Sequence, residues 1–203
     1  ALEILGKRWT VEQTVQAVER DRPFYLEGGG ATLTGGEPLM QGEFAIALAQ
    51  ALQARGIGVC LETSGCAPAA TVERIAPHID YFLFDVKETD PARHRRFTGA
   101  EMAPIQENLR LLDRLGARLI LRCPIIPDVN QRPEHFQALA QLAQGLSHVE
   151  QIHLEPYHPM GIDKARRGGH AAAYRNVNFL EQAALAEPAR LLQEWTGKTV
   201  LVM

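Results

Sequence analysis

Short apolar runs alternate with helical patterns along this chain, and this alternation is the feature that most constrains its fold. Six runs are predicted strands, at residues 31–34, 58–63, 81–86, 118–122, 149–154 and 199–202. Helical periodicity occurs around and between them, at residues 11–20, 43–55, 69–76, 104–115, 133–146 and 179–195. This alternation predicts β-α-β units and a parallel sheet, and continuous apolar runs are typical of strands that are covered on both faces. The pattern leaves two architectures open, a doubly wound sheet and part of a barrel.

The length and charge of the chain limit the classes of function that it can serve. Its 203 residues fit one domain, which we predict to span residues 1–203. The formal net charge of -3, with both signs interspersed, argues against a surface for nucleic acid. No apolar run reaches the length of a membrane span, and the three cysteines suggest no disulfide framework, so a cytoplasmic location is expected. The chain starts at Ala1 without an initiator Met, which favours a piece of a longer protein.

Polar or glycine-rich groups follow five of the predicted strands, at the carboxyl end of each. In parallel α/β folds, ligands bind at this edge of the sheet. Five successive strand ends that carry such residues are therefore expected to converge on one site. The groups are Gly35-Gly36-Glu37-Pro38, Glu62-Thr63-Ser64-Gly65, Asp85-Val86-Lys87, Arg122 with Pro124, and Glu155-Pro156-Tyr157-His158.

The chemistry of these groups suits a small charged ligand. The two glycines of the first group allow the main chain to approach a ligand closely, and Glu37 offers a carboxylate to an ammonium group. Asp85 and Lys87 lie two residues apart and face the same side of an extended chain, which suits an amino-acid ligand or a monovalent cation. Arg122 can hold a carboxylate through two parallel N–H groups, and His158 can donate or accept a proton near neutral pH.

Each of these groups also has a purely structural interpretation. Residues 35–38 alone could form a tight turn, and Asp85 and Lys87 could form a salt bridge that closes the end of a barrel. Arg122 could pair with Glu62 or Asp85, and the histidine of the fifth group could be satisfied within the fold. The joint placement of these residues at five successive strand ends is what favours a ligand site.

The residues at these strand ends resemble those of glycyl-radical-enzyme activating enzymes, a group of radical S-adenosylmethionine enzymes that includes the activating enzyme of pyruvate formate-lyase. The resemblance is carried by residues 22–25 and 28–39, and it continues in order through residues 62–65, 85–87, 122–130 and 155–158 to Gly161 and Lys164. It covers nearly the whole chain. It implies an α/β fold that forms a partial (β/α)6 barrel, with residues 1–9 as the tail of a preceding segment.

The resemblance also implies a binding site for S-adenosylmethionine at the strand ends. Gly35, Gly36 and Glu37 would contact the methionine amino group, and Thr63 or Ser64 together with Lys87 would contact its carboxylate or the ribose. Arg122 and the backbone near Pro124 would lie by the ribose and adenine, and His158 would lie beside the cofactor. A monovalent cation would be held by the side chains of Glu62, Thr63 and Asp85 and the carbonyl of Leu83. Many relatives have Asp where this chain has Glu62.

The sequence departs from this family at the iron–sulfur cluster. The family binds a [4Fe–4S] cluster through C-x-x-x-C-x-x-C, whereas the cysteines here are Cys60, Cys66 and Cys123, which we interpret as structural thiols. Because thiolates anchor such clusters, we expect no residue of this chain to ligate iron. The chain is therefore expected to lack the first strand and the cluster loop of the barrel, and to be catalytically inert by itself.

For the intact enzyme, the resemblance implies a defined reaction and defined partners. The reduced cluster would cleave S-adenosylmethionine, and the 5′-deoxyadenosyl radical would remove a hydrogen from a glycine of a glycyl radical enzyme such as pyruvate formate-lyase. The electron donor would be a flavodoxin or a ferredoxin, and the loop at residues 161–174 is a candidate for partner choice. Two alternatives are a non-catalytic module for binding S-adenosylmethionine or docking a partner, and a barrel enzyme with acid-base chemistry at Glu37, Lys87 and His158.

Overall fold

A parallel sheet of six strands organises the chain. The computed structural model describes residues 7–25, 29–160, 174 and 178–203. The strands are β1 (Gly30–Leu33), β2 (Gly58–Thr63), β3 (Tyr81–Asp85), β4 (Leu119–Ile125), β5 (Val149–Pro156) and β6 (Thr199–Val202). Each strand pairs in parallel with the next one along the chain, from β1 to β6. A doubly wound sheet reverses its strand order at a switch point, so this unbroken order belongs to the wall of a partial barrel.

Six of the described helices match predicted ones, the last with a later start, and the fourth along the chain is additional. The helices are α1 (Val11–Arg20), α2 (Gly42–Gln53), α3 (Ala69–Ile75), α4 (Pro91–Thr98), α5 (Met102–Arg114), α6 (Pro133–Gln144) and α7 (Ala186–Thr196). The helix predicted at 179–195 begins later, because Gln182–Leu185 form a 3-10 turn. Pro188 lies in the first turn of α7, where its missing N–H breaks no helical hydrogen bond. Its ring would clash with the carbonyl of the residue four positions earlier if the α-helix already included that residue, so the helix starts late. Within the described ranges, none of these helices has the length and apolar character that a bilayer span requires.

Helix α4 is an element that apolar periodicity does not predict. Its first turn is capped by Asp90, whose carboxylate accepts from the N–H of Arg93 at 2.8 Å, and Pro91 occupies its first position. It ends at Gly99, which has a φ of 78°. Its buried residue is His94, so the helix has end signals but no apolar stripe.

The two faces of the sheet have different surroundings. Side chains alternate between buried and half-buried along β2, β3 and β4. The buried set, which includes Leu61, Phe82 and Leu121, packs with the helices in one apolar core. The half-buried set lies on the opposite face, because successive side chains on a strand point to opposite sides. This second face is called the inner face. Its histidine and charged residues are Glu62, Asp85, Arg122, His153 and Glu155.

Candidate functional site

The glycine pair that follows β1 leaves its main chain open. Gly35 has a φ of 137°, a conformation that residues with side chains rarely adopt. An added Cβ at Gly35 or at Gly36 would meet no described atom within 4 Å. The requirement for glycine at position 35 is therefore set by backbone conformation, and the space beside both residues is free for a ligand to approach the main chain.

The carboxylate of Glu37 joins the end of β1 to the end of β2. One oxygen, Oε1, accepts from the N–H of Leu39 at 3.1 Å and from the hydroxyl of Thr63 at 2.7 Å. The other, Oε2, accepts from the N–H of Ser64 at 2.8 Å and from its hydroxyl at 2.6 Å. Four protein donors use the full acceptor capacity of a carboxylate. Glu37 therefore holds two strand ends together. Since both of its oxygens already accept hydrogen bonds, it can act on a ligand mainly through its negative charge.

The end of β3 carries an ion pair on its half-exposed side. The ammonium Nζ of Lys87 lies 2.5 Å from Oδ2 of Asp85. The Lys87 side chain is 41% exposed and that of Asp85 is 18% exposed. The salt bridge considered for this pair is therefore present. An ion pair with an exposed cation is weak, so a ligand can exchange partners with Lys87 at little cost.

Arg122 sits between two carboxylates on the inner face. Its Nη1 lies 2.6 Å from Oε2 of Glu62, and its Nε donates to Oε1 of Glu155 at 2.5 Å. Although burial alone would lower the pKa of the guanidinium, the hydrogen bond to Glu155 and the charges of Glu155, Glu62 and Asp85 raise it. The pairing considered with Glu62 is present, and the one with Glu155 is additional. Arg122 consequently links β2, β4 and β5 across the inner face.

His153 is a titratable group of the inner face that the sequence reasoning missed. It is aligned with Arg122 across the β4–β5 ladder, and its Nε2 lies 2.8 Å from Oε1 of Gln151. Burial and the neighbouring charge of Arg122 lower the pKa of this imidazole. Its position two residues before Glu155 on the same strand is the signal that places it on this face. The predicted site residue His158 is exposed, beyond the end of β5.

The three side chains expected to hold a monovalent cation each have a protein partner. Glu62 pairs with Arg122, Asp85 pairs with Lys87, and the buried hydroxyl of Thr63 donates to Glu37. Leu83, whose carbonyl was also expected to contribute, lies within β3 opposite Glu62. The cation site stays a prediction.

The cysteines of the described chain do not form a cluster-binding set. Cys60 is half-buried on β2, Cys66 is exposed in the loop after it, and Cys123 is buried in β4. Burial raises the pKa of the Cys123 thiol, which keeps it protonated and unsuited to iron. Among the described residues, no group of three or more His, Cys, Asp and Glu side chains is arranged to hold a metal. The described residues therefore offer no set suited to a [4Fe–4S] cluster, whereas the open glycine pair and the neighbouring charges suit a small charged ligand.

Two buried asparagines support the loops of this edge, and neither was singled out from the sequence. Asn108 on α5 donates to the carbonyls of Gly65 and Ala67 at 2.9 and 2.8 Å, which fixes the loop after β2. Asn130, in the loop after β4, joins the ends of β3 and β4. Buried side-chain amides that satisfy main-chain carbonyls are a structural signal that sequence periodicity does not contain.

A buried carboxylate, Glu88, anchors the segment after β3. It accepts from the N–H groups of Thr89 and Asp90 at 2.7 and 3.0 Å. Arg132 reaches it with Nη1 at 2.9 Å and Nη2 at 2.6 Å. Burial alone would raise the pKa of Glu88, but hydrogen bonds from His135, Arg132 and the two N–H groups hold it far below its usual range.

Comparison with known proteins identifies the family of the chain. A family model described as the radical SAM superfamily matches residues 3–143. The chain is 34% identical over 203 residues to the pyruvate formate-lyase 2-activating enzyme of Escherichia coli K12, a match that covers 100% of this chain and 69% of that protein. It is 40% identical over 166 residues to the isethionate sulfite-lyase activating enzyme of Desulfovibrio desulfuricans, which covers 80% of this chain and 53% of the relative. It is 33% identical over 202 residues to the indoleacetate decarboxylase activating enzyme of Tractidigestivibacter scatoligenes, with 99% and 64% covered.

Solved structures show the same fold. A domain of the pyruvate-formate lyase-activating enzyme from Bacteroides vulgatus superimposes with a TM-score of 0.72 at 25% identity, over 87% of this chain and 99% of that chain. Streptococcus suis SuiB bound to S-adenosylmethionine superimposes with a TM-score of 0.77 at 11% identity, over 99% of this chain and 45% of that chain. The chain spans about half to two thirds of the length of the curated relatives. The resemblance to the glycyl-radical-enzyme activating enzymes is confirmed, and the chain belongs to the radical SAM superfamily.

Proposed function

We propose that this chain is the S-adenosylmethionine-binding barrel of an activating enzyme that installs a glycyl radical on a partner enzyme. The observation that carries the proposal is the open main chain of Gly35 and Gly36 beside the bound carboxylate of Glu37. The relatives named above as activating enzymes support the reaction class.

The amino-acid end of S-adenosylmethionine would lie along the ends of β1, β2 and β3. Main-chain carbonyls of Gly35 and Gly36 would accept from the ammonium group, and the charge of Glu37 would stabilise it. Lys87 would exchange its contact with Asp85 for the ligand carboxylate, since its ammonium is already half-exposed. The hydroxyl of Thr63 or Ser64 would lie beside the same carboxylate or the ribose.

The net charge of the site fits this ligand. The four carboxylates of Glu37, Glu62, Asp85 and Glu155 are opposed by two cations, Arg122 and Lys87, which leaves the site negatively charged. S-adenosylmethionine carries an ammonium, a sulfonium and a carboxylate, which leaves one positive charge. Complementary charge favours binding in a partly enclosed cleft.

The nucleoside end would lie toward β4 and β5. Arg122 is held in place by its two carboxylates and would contact the ribose together with the main chain at Pro124. His158 is exposed beyond β5 and would lie beside the bound cofactor. Arg122 and its two carboxylate partners would thus orient the cofactor.

The hydrogen abstraction would belong to the full-length protein. Bound S-adenosylmethionine supplies the hydrogen-abstracting group, and the protein substrate would be a glycyl radical enzyme such as pyruvate formate-lyase. A flavodoxin or ferredoxin would be the electron donor. Because the described residues include no cluster-binding set, the part that we assign to this chain is binding and orientation of the cofactor.

Calorimetric titration of S-adenosylmethionine into the full-length reconstituted protein tests this proposal, with two glycine variants. Gly35→Ala forces a side chain into a conformation with a φ of 137°, so the loop must change and binding should weaken about tenfold or more. Gly197→Ala is the matched control, because Gly197 also has a positive φ of 67° and open space but lies at the end of α7, away from the strand ends. The proposal fails if the wild type does not bind, or if both variants bind as the wild type does.

A further inference from the structure

Asn130 makes the contact that joins the ends of β3 and β4. It is fully buried, with 0% of its surface exposed. Its Nδ2 donates to the carbonyl of Lys87 at 2.8 Å and to the carbonyl of Pro124 at 2.7 Å, and its Oδ1 accepts from the N–H of Ile126 at 2.7 Å. Both protons of the amide and its oxygen are therefore used. Lys87 and Pro124 are two residues of the proposed cofactor site, and they lie on different strands.

The chemistry of this contact restricts the residue to a short primary amide. The carbonyls of Lys87 and Pro124 need two N–H groups on one nitrogen, as in Nδ2 of asparagine. The N–H of Ile126 needs an acceptor oxygen on the same side chain, as in Oδ1. Aspartate would present oxygens to two carbonyl oxygens, and an apolar residue would remove the side-chain partner of three part-buried main-chain groups.

Residues next to Asn130 hold the same strand end from a second side. Arg132 binds the carboxylate of Glu88, the residue that follows Lys87. The carbonyl of Val129 accepts from Arg132 at 2.9 Å and also from Arg93. The segment 129–132 thus fixes the main chain at Lys87 and Glu88 relative to β4, while the Lys87 side chain stays half-exposed with its ammonium on Asp85.

We propose that Asn130 is a positioning residue of the cofactor site, which acts by fixing the main chain from which the Lys87 side chain reaches the ligand. A flexible side chain finds its partner with less loss of entropy when its main chain is already in place. This role rests on the proposed function of the site. It is distinct from a general contribution to folding, since it requires that Asn130 act on binding through Lys87.

A double-mutant cycle in the full-length reconstituted protein separates these two roles. The variants are Asn130→Ala, Lys87→Met and the two combined, and the readouts are the dissociation constant for S-adenosylmethionine and the thermal midpoint. Lys198→Met is the matched control: the ammonium of Lys198 also donates to two main-chain carbonyls, those of Leu146 and Val149 at 3.3 and 2.9 Å, but it lies just before β6 at the opposite edge of the sheet.

Binding is measured well below every thermal midpoint. Asn130→Ala is expected to weaken binding about tenfold, and to weaken it by less than about twofold when Lys87 is already Met. Lys198→Met is expected to lower the thermal midpoint and leave the dissociation constant within about twofold of the wild type. The inference is overturned if the effects of Asn130→Ala and Lys87→Met multiply, or if Asn130→Ala binds as tightly as the wild type. If Asn130→Ala does not fold, Asn130→Ser, which keeps one donor, is judged by the same criteria.

Failure of the proposed function has a different signature. In that case the wild type itself does not bind S-adenosylmethionine. The cofactor role of Asn130 then falls with the proposed function, and crystal structures of the wild type and of Asn130→Ala show only whether Asn130 fixes the main chain at Lys87. Displacement of the Lys87 carbonyl with loss of its contact to Asp85 would show that it does, and an unchanged Lys87 would show that it does not.

Discussion

The carboxyl edge of the sheet, where the parallel strands end, and the amino edge, where they begin, use polar side chains in different ways. At the carboxyl edge, Glu37, Arg122 and Asn130 each bind two strand ends or more, and their partners are buried or half-buried. At the amino edge, Arg118 forms a pair with Glu150, and both side chains are well exposed. Compared with this exposed pair, the links at the carboxyl edge each join more groups and are more deeply buried, and they hold the loops of the candidate site.

The Arg118–Glu150 pair at the amino edge nevertheless has good hydrogen-bond geometry. Arg118 binds Glu150 through Nε at 2.6 Å and Nη2 at 3.2 Å, and its guanidinium lies 3.9 Å from the centre of the Tyr81 ring. A pair in open solvent is screened and gains little, however good its geometry. Burial, more than geometry, therefore distinguishes this pair from the links at the carboxyl edge.

The largest effect on stability is expected from Glu88→Gln at the carboxyl edge. This change leaves Arg132 without its carboxylate beside a buried neutral group, and should lower the free energy of unfolding by roughly 3 kcal/mol. Asp113→Asn is the control, because the Asp113 carboxylate accepts from the N–H of His148 at 2.8 Å near the amino edge. Urea denaturation at neutral pH checks both, and equal losses would break the comparison.

The same carboxylate gives a pH dependence of known sign. The folded-state pKa of Glu88 lies below its ordinary value of 4.5, so its contribution is complete above that pH and is lost as the pH falls below it. The wild type should therefore lose more stability between neutral pH and acid than Glu88→Gln does. Denaturation midpoints measured as a function of pH would contradict this if the two curves stay parallel.

A smaller loss is expected from Glu37→Gln. The amide keeps acceptors only on its oxygen, so its nitrogen faces a main-chain N–H, that of Leu39 or that of Ser64, at a cost of roughly 2 kcal/mol. Binding of S-adenosylmethionine should also weaken under conditions in which the variant is fully folded, because the charge of Glu37 is lost as well. Calorimetry combined with urea denaturation measures the two effects, and unchanged binding would remove Glu37 from the site.

The smallest effects come from a matched pair of arginine variants. Arg122→Met leaves Glu62 and Glu155 facing each other, and should cost about 1–2 kcal/mol. Arg118→Met at the exposed amino edge should change the denaturation midpoint much less and leave cofactor binding unchanged. An Arg122→Met and Glu155→Gln double variant should recover part of the stability, since it removes the uncompensated charge; no recovery would argue that Arg122 contributes by packing alone.

Much of the framework could be predicted from the sequence. Continuous apolar runs give all six strands, and the order of turns and helices between them gives a parallel sheet. The choice between a doubly wound sheet and a barrel could not be made from periodicity, because both use the same β-α-β units. Helix α4 lacks an apolar stripe, so its end signals at Asp90, Pro91 and Gly99 were the available evidence.

The site could be predicted in position and less well in detail. Residues at strand ends converge by topology, which is why Glu37, Lys87 and Arg122 were found. Whether a side chain is free or already paired depends on distances across strands, so the bonds of Glu37 and the second partner of Arg122 needed the structure. Asn130 and Glu88 lie in loops whose buried hydrogen bonds leave no periodic trace. The candidate loop for partner choice, at residues 161–174, lies almost entirely outside the described residues.

The central claim is that S-adenosylmethionine binds at the carboxyl edge, with its amino group on the glycine pair. A crystal structure of the full-length reconstituted protein with S-adenosylmethionine tests it most directly. The expected result is an ammonium nitrogen about 3 Å from a main-chain carbonyl of Gly35 or Gly36, with Lys87 turned from Asp85 to the ligand carboxylate. A ligand bound elsewhere, or a glycine pair that stays open beside an intact Lys87–Asp85 contact, would contradict the claim.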